Sequence, residues 1–103
     1  MRSGRGNLLT YKIIEDNIEY DVTNNEYGDQ YWRRNYVYDR VLGPAIIHAR
    51  GDKFWFRAGL MHNDSGPAFV SVDGKKYWYQ NDMLINCKTQ EEFEQYLRLK
   101  AFW

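Results

Sequence analysis

Two histidines, one cysteine and the triplet His62-Asn63-Asp64 are where this chain could support catalysis or metal binding. An imidazole beside a carboxylate can hold and pass a proton, and with Cys87 it would make a nucleophile dyad or a metal site. The spacing supports neither. No pair among His48, His62 and Cys87 has the interval of metal ligands, and convergent acid, base and oxyanion groups are lacking. Asn63 and Asp64, ahead of Ser65-Gly66, read as a turn, because short polar side chains bond their own backbone. Cys87 reads as a small apolar filler where sheet meets helix. Gly4-Arg5-Gly6 lacks the strand before it and the helix after it that a phosphate-cradling loop needs. The expectation is a protein that is not an enzyme and that binds no metal and no cofactor.

Aromatic residues interleaved with bases offer more. Tyr31-Trp32-Arg33-Arg34, Lys53-Phe54-Trp55-Phe56-Arg57 and Lys75-Lys76-Tyr77-Trp78-Tyr79 could form a stacking platform with cationic flanks. Such a surface would hold a nucleotide or single-stranded nucleic acid, each stacked base contributing about 1–3 kcal/mol. The same residue types anchor protein interfaces, and a repeat would place them as core with no ligand at all. A second feature is acidic. From Ile13 to Trp32 there are six acids, Glu15, Asp16, Glu19, Asp21, Glu26 and Asp29, and no Lys or Arg. The run reads as a solvated face or as a patch that meets a basic partner. Binding is therefore expected of Glu15, Asp16, Glu19 and Asp29 on the acidic side. On the aromatic and basic side it is expected of Trp32, Arg33, Arg34, Trp55, Arg57 and His62.

The elements that position these residues follow a period. Trp32, Trp55 and Trp78 stand 23 residues apart, and Gly28, Gly51 and Gly74 keep step. A fixed period of this length marks repeats, each a supersecondary unit unable to bury its own apolar face. Gly43-Pro44-Ala45 falls on Gly66-Pro67-Ala68, Phe54-Trp55-Phe56 on Tyr77-Trp78-Tyr79, and Asn63 on Asn86. A degenerate unit around Gly28 and Trp32 lacks the Gly-Pro-Ala signal. Residues 45–50 and 68–72 read as strands, 53–57 and 76–80 as return strands, and Gly51-Asp52 and Asp73-Gly74 as the turns between them. Two-residue turns would put Trp55 and Trp78 on the face of Ile46 and Phe69; three-residue turns would reverse that.

Residues 8–14 and 18–22 read as a leading hairpin. Thr89-Gln90-Glu91-Glu92 is a capping box, and Phe93, Tyr96 and Leu97 recur at helical spacing, so a helix is predicted from Gln90 to about Ala101. The fold class expected is mainly β (α+β): an antiparallel β-hairpin repeat or meander sheet capped by one C-terminal helix. It forms a single domain over 1–103. An acidic N-terminal hairpin occupies 1–27, repeats of period 23 occupy 28–86, and the helical segment occupies 87–103.

The 103 residues carry 14 basic and 14 acidic side chains. Zero net charge argues against a dedicated nucleic-acid binder, whose affinity comes from neutralising phosphates. Aromatic residues make up 17% of the chain, enough large side chains to give a thin fold a core. No stretch has transmembrane length, and Leu8-Leu9 is too short a run for a signal-peptide core. A single cysteine cannot form an internal disulfide, and together these features point to a reducing cytoplasm.

The period, the Gly-x-x-x-Trp step and the hairpin unit resemble MORN-type repeats. They are most similar to a bacterial and phage variant reading Gly-Pro-Ala, strand, Gly, Trp, His and back to Gly-Pro-Ala. Here these are Gly43-Pro44-Ala45, Gly51, Trp55, Gly59, His62-Asn63-Asp64 and Gly66-Pro67-Ala68, within a resemblance covering 28–86. Asp82 replaces the next unit's Gly59 and Ile85 its His62. The resemblance implies hairpins stacked into a curved single-layer sheet that binds proteins or lipid head groups. It also implies a phage or mobile-element origin, a setting in which such a module masks a host protein. The function expected is a small cytoplasmic interaction protein with a protein partner and no membrane association. The alternative is a nucleotide or single-stranded nucleic-acid binding module. Unpaired sheet edges also invite a second copy, so a homodimer through those edges is a further expectation.

Overall fold

The computed structural model describes residues 8–102, so Gly4-Arg5-Gly6 lies outside the described residues. The chain opens with a hairpin of β1 (Leu9–Glu15) and β2 (Ile18–Asn24). Its turn is Asp16-Asn17, both at positive φ (54° and 65°), which matches the twist of the flanking strands. β2 pairs with β3 (Gln30–Arg34), and the sheet continues through β5 (Ile46–Ile47), β6 (Lys53–Phe54), β9 (Phe69–Val70) and β10 (Lys76–Tyr77). β4 (Val37–Tyr38) folds back on β3. Two small hairpins stand apart: β7 (Phe56–Arg57) with β8 (Leu60–Met61), and β11 (Tyr79–Gln80) with β12 (Met83–Leu84). Every pairing is antiparallel, as a meander of hairpins requires.

The period read in the sequence is also a period of backbone bonds. The N–H groups of Asp39, His62 and Ile85 donate to the carbonyls of Trp32, Trp55 and Trp78 at 3.2, 3.0 and 2.8 Å. The turns that follow each tryptophan, Asn35-Tyr36, Ala58-Gly59 and Asn81-Asp82, all hold positive φ. The first unit thus keeps the backbone of the others although it lacks Gly-Pro-Ala, and Val22, which pairs with Trp32, stands where they have Ala45 and Ala68.

The loops carrying the periodic glycines are longer than two residues. Ile46 pairs with Phe54 and Ile47 with Lys53, and the His48 N–H donates to the Asp52 carbonyl, so Ala49, Arg50 and Gly51 form the loop. Residues 72–74 do the same between Ser71 and Lys75. Glycine closes each loop at positive φ (121° and 90°), a third position that the Gly51-Asp52 and Asp73-Gly74 dipeptides do not announce. The added residue decides the faces. Ile46, Phe54, Phe69 and Tyr77 stand opposite one another in a single row, while the tryptophans project from the other side.

On that other side Trp32 packs with Tyr20, Val22 and Ala45 in one buried cluster. Trp78 packs with Ile85 and with Phe93 of α1 (Gln90–Lys100) in a second. Ala45 and Ala68 are fully buried, small residues between bulky indoles. The helix is capped as its sequence predicts: the Glu92 N–H donates to Thr89 Oγ1, while the Glu92 carboxylate reaches back to the Lys88 N–H. It covers only the last unit, through Phe93. No helix among the described residues is long and apolar enough to cross a membrane.

Candidate functional site

The residues expected to bind fall into two regions. Around Arg40 the structure assembles Glu15, Trp32, Trp55, Arg57 and His62. Arg40 lies over the Trp32 ring at 3.6 Å and donates twice to Glu15, at 3.0 and 2.8 Å. Beside it, Trp55, Arg57 and His62 border a cavity of about 130 Å³ with Asp64 and Ser65. Trp32 is only 4% exposed, with its indole N–H donated to Gln30, so it does not serve as an exposed anchor. The guanidinium above it and the Tyr20 ring beside it, at 5.3 Å, take up its surface.

The basic residues are engaged as well. Arg34 donates to Oδ2 of the buried Asp39 at 3.2 and 3.0 Å, and Arg57 approaches Oδ1 of the same residue at 3.8 Å. Arg33 lies over the Tyr38 ring at 4.6 Å and bonds its hydroxyl. His62 accepts the Asn81 N–H at Nδ1, which leaves Nε2 to donate to Asp64 at 2.9 Å. With both ring nitrogens occupied, His62 has no nitrogen free to take a proton from the Ser65 hydroxyl. Burial, with the charge of Glu92, pushes the Cys87 thiol up, away from the thiolate that a nucleophile or metal ligand requires. Among the described residues no three of His, Cys, Asp and Glu stand close enough to share a metal ion.

Much of the acidic run answers the chain's own groups. Glu19 and Asp21 bracket Lys12 at 3.4 and 2.7 Å, and Asp16 sits exposed in the first turn. Asp29 accepts the Ala49 N–H at 2.8 Å, and Asp52 accepts the Val72 N–H at 2.7 Å. These are one contact repeated a period later: a carboxylate clasps the loop of the following unit. Beyond its place in the Gly51-Asp52 dipeptide, the sequence signal for this role of Asp52 is its spacing of 23 residues from Asp29.

The second region lies on the face opposite the tryptophans. Phe54 and Phe69 stack with centroids 4.7 Å apart, Phe69 and Tyr77 at 5.6 Å, and His48 meets Phe54 edge-on at 5.3 Å. Both faces of Phe69 are therefore taken by its neighbours. Lys53 and Lys76 occupy the adjacent register positions, opposite Val70, and so project to the other side of the sheet. Rings and lysines do not share one platform. At the end of the row a cleft of about 600 Å³ opens between Tyr27, Asp29, His48, Asp52 and Phe54. The Ala49 N–H holds the Asp29 carboxyl below the usual range; the Arg50 guanidinium, then the Val72 N–H, do so for Asp52. Both are ionised at neutral pH. Arg50, which also lines the cleft, answers Asp52 directly at 2.8 Å, which leaves Asp29 as the carboxylate there with no basic side chain bonded to it.

No family model matches the chain, and no curated protein or solved structure matches it.

Proposed function

We propose that this protein is a small non-catalytic binding module that docks a protein partner on the aromatic face of its sheet and takes a basic side chain into the cleft. The observation that carries it is the row of Phe54, Phe69 and Tyr77 ending at an open, acid-lined cleft. Tyr27 is 72% exposed at its rim. A guanidinium or ammonium seated there would meet the exposed ring of Tyr27, worth about 0.5–1 kcal/mol at exposed sites, and the charge of Asp29, with Phe54 lining the cleft beside it. Similarity to MORN-type repeats agrees with this role, and masking a host protein is the form such binding would take. A nucleobase fits less well. Phe69 has no free face to offer it, and the lysines that would neutralise phosphate lie on the far side.

Titration with a short arginine peptide and its citrulline counterpart tests the proposal, followed by NMR shifts of the tyrosine and phenylalanine rings. Shifts at Tyr27 and Phe54 are expected with arginine alone, and Tyr27→Ala should weaken binding about two- to fivefold. Equal response to both peptides, or unchanged binding by Tyr27→Ala, would discard it.

A further inference from the structure

Among the described residues the first strand of the sheet leaves one long edge open. β1 is seven residues long and pairs there only with β2; the strand at the opposite end, β10, has two residues. Leu8, Leu9 and Ile14 are 71%, 64% and 71% exposed along it. Edge strands of soluble proteins are usually guarded by a charge, a proline or a bulge. Here the lysine at the centre of the strand, Lys12, is drawn across to Asp21 and Glu19, and the other charge, Glu15, is held by Arg40. The edge has no free charge of its own.

The two-residue turn fixes which backbone groups face outward. Glu15 and Ile18 close it as a hydrogen-bonded pair, so Ile13, Tyr11 and Leu9 also bond β2, and the N–H and C=O groups of Thr10, Lys12 and Ile14 point away from the sheet. Two such edges can pair only in registers that set these outward residues against one another.

We infer that β1 pairs antiparallel with β1 of a second copy, on a two-fold axis through Tyr11. Leu8 then lies against Ile14, Leu9 against Ile13, and Thr10 against Lys12, so each exposed aliphatic residue gains an aliphatic partner. Moving the axis to Lys12 would oppose two ammonium groups, which is destabilising. Moving it to Thr10 would set Ile13 against Asn7 and Ile14 against Gly6 in sequence, neither of them an aliphatic partner. Tyr11 meets Tyr11 as a non-hydrogen-bonded pair, the geometry with the shortest Cα separation. A single strand pair is small against the roughly 1,200 Å² buried by stable complexes, so the dimer forms and dissociates with concentration. The surface is separate from the aromatic cleft, and neither depends on the other.

Sedimentation velocity over a range of concentrations, combined with cysteine cross-linking, tests the inference. The wild-type chain is expected to shift from monomer to dimer as concentration rises. Thr10→Pro removes an outward N–H, and should abolish dimerisation while leaving the circular dichroism spectrum unchanged. In a Cys87→Ser background, Tyr11→Cys should oxidise to a covalent dimer, whereas Leu9→Cys or Ile13→Cys alone should not. A monomer at all concentrations overturns the inference and leaves the edge to a foreign strand or to none. A dimer that survives Thr10→Pro, or one that cross-links equally through Leu9→Cys, overturns it as well.

Discussion

Ala58 holds φ at 52° in a turn where the flanking units place Asn35 and Asn81. A Cβ in the left-handed region costs about 1–2 kcal/mol, and asparagine lowers that cost through its short polar side chain. Ala58→Asn should therefore raise stability by about 0.5–1 kcal/mol, read as a higher urea midpoint with an unchanged slope. Charged residues make a second prediction. The guanidinium of Arg40 holds the Glu15 carboxyl low, as the Ala49 N–H does for Asp29 and Arg50 with the Val72 N–H for Asp52. With the folded pKa below the unfolded one, the unfolded chain takes up protons first as pH falls. Their contribution is whole above about pH 5 and is lost as pH drops through about 4 and below. Thermal melts across that window should show a falling midpoint, and Asp52→Asn should lower the neutral-pH midpoint while flattening the fall; an equal slope in the variant would exclude Asp52 from the effect. Such roles were only partly legible in the sequence. The acids of 13–32 stood out as a cluster, yet the partner of Glu15 is Arg40, 25 residues away, and local spacing carries no trace of that.

Hairpins and helix were readable because each has chemistry tied to position: glycine at the loop ends, Thr89 and Glu92 around a helix start, rings at an invariant interval. Loop length was not. Gly-Asp and Asp-Gly both fit a two-residue turn, and one extra residue exchanges the sheet faces, so the tryptophans moved from the side of Ile46 to the side of Ala45. The helix has one job that can be measured. Phe93 is fully buried against Trp78 and Ile85, and Phe93→Ala should cost about 3–5 kcal/mol. Loss of that cover should also shift tryptophan emission to the red, because Trp78 is the indole beneath it. A red shift without loss of stability would place the cost elsewhere.

The whole molecule is long and thin, 57 × 32 × 19 Å, with a radius of gyration of 15.6 Å, against about 13 Å for a compact chain of this size. Contacts pass mainly between neighbouring units, so length should scale with their number. Each full unit adds two strands to the main sheet, and a further copy of residues 46–68 should lengthen the particle by about 10 Å. Small-angle scattering would register this; a particle that widens instead would mean that the units do not stack in line.

The Asp29 and Asp52 clasps all point one way along the chain. Each acceptor lies 20 residues ahead of the N–H that it receives, and at the corresponding place in the last unit Lys75 offers none. During synthesis the loops at Ala49 and Val72 thus each meet a carboxylate already in place, while the Met61 N–H waits for Asp82. These two loops can be assembled in the order in which they are translated, each module setting the mould for its successor.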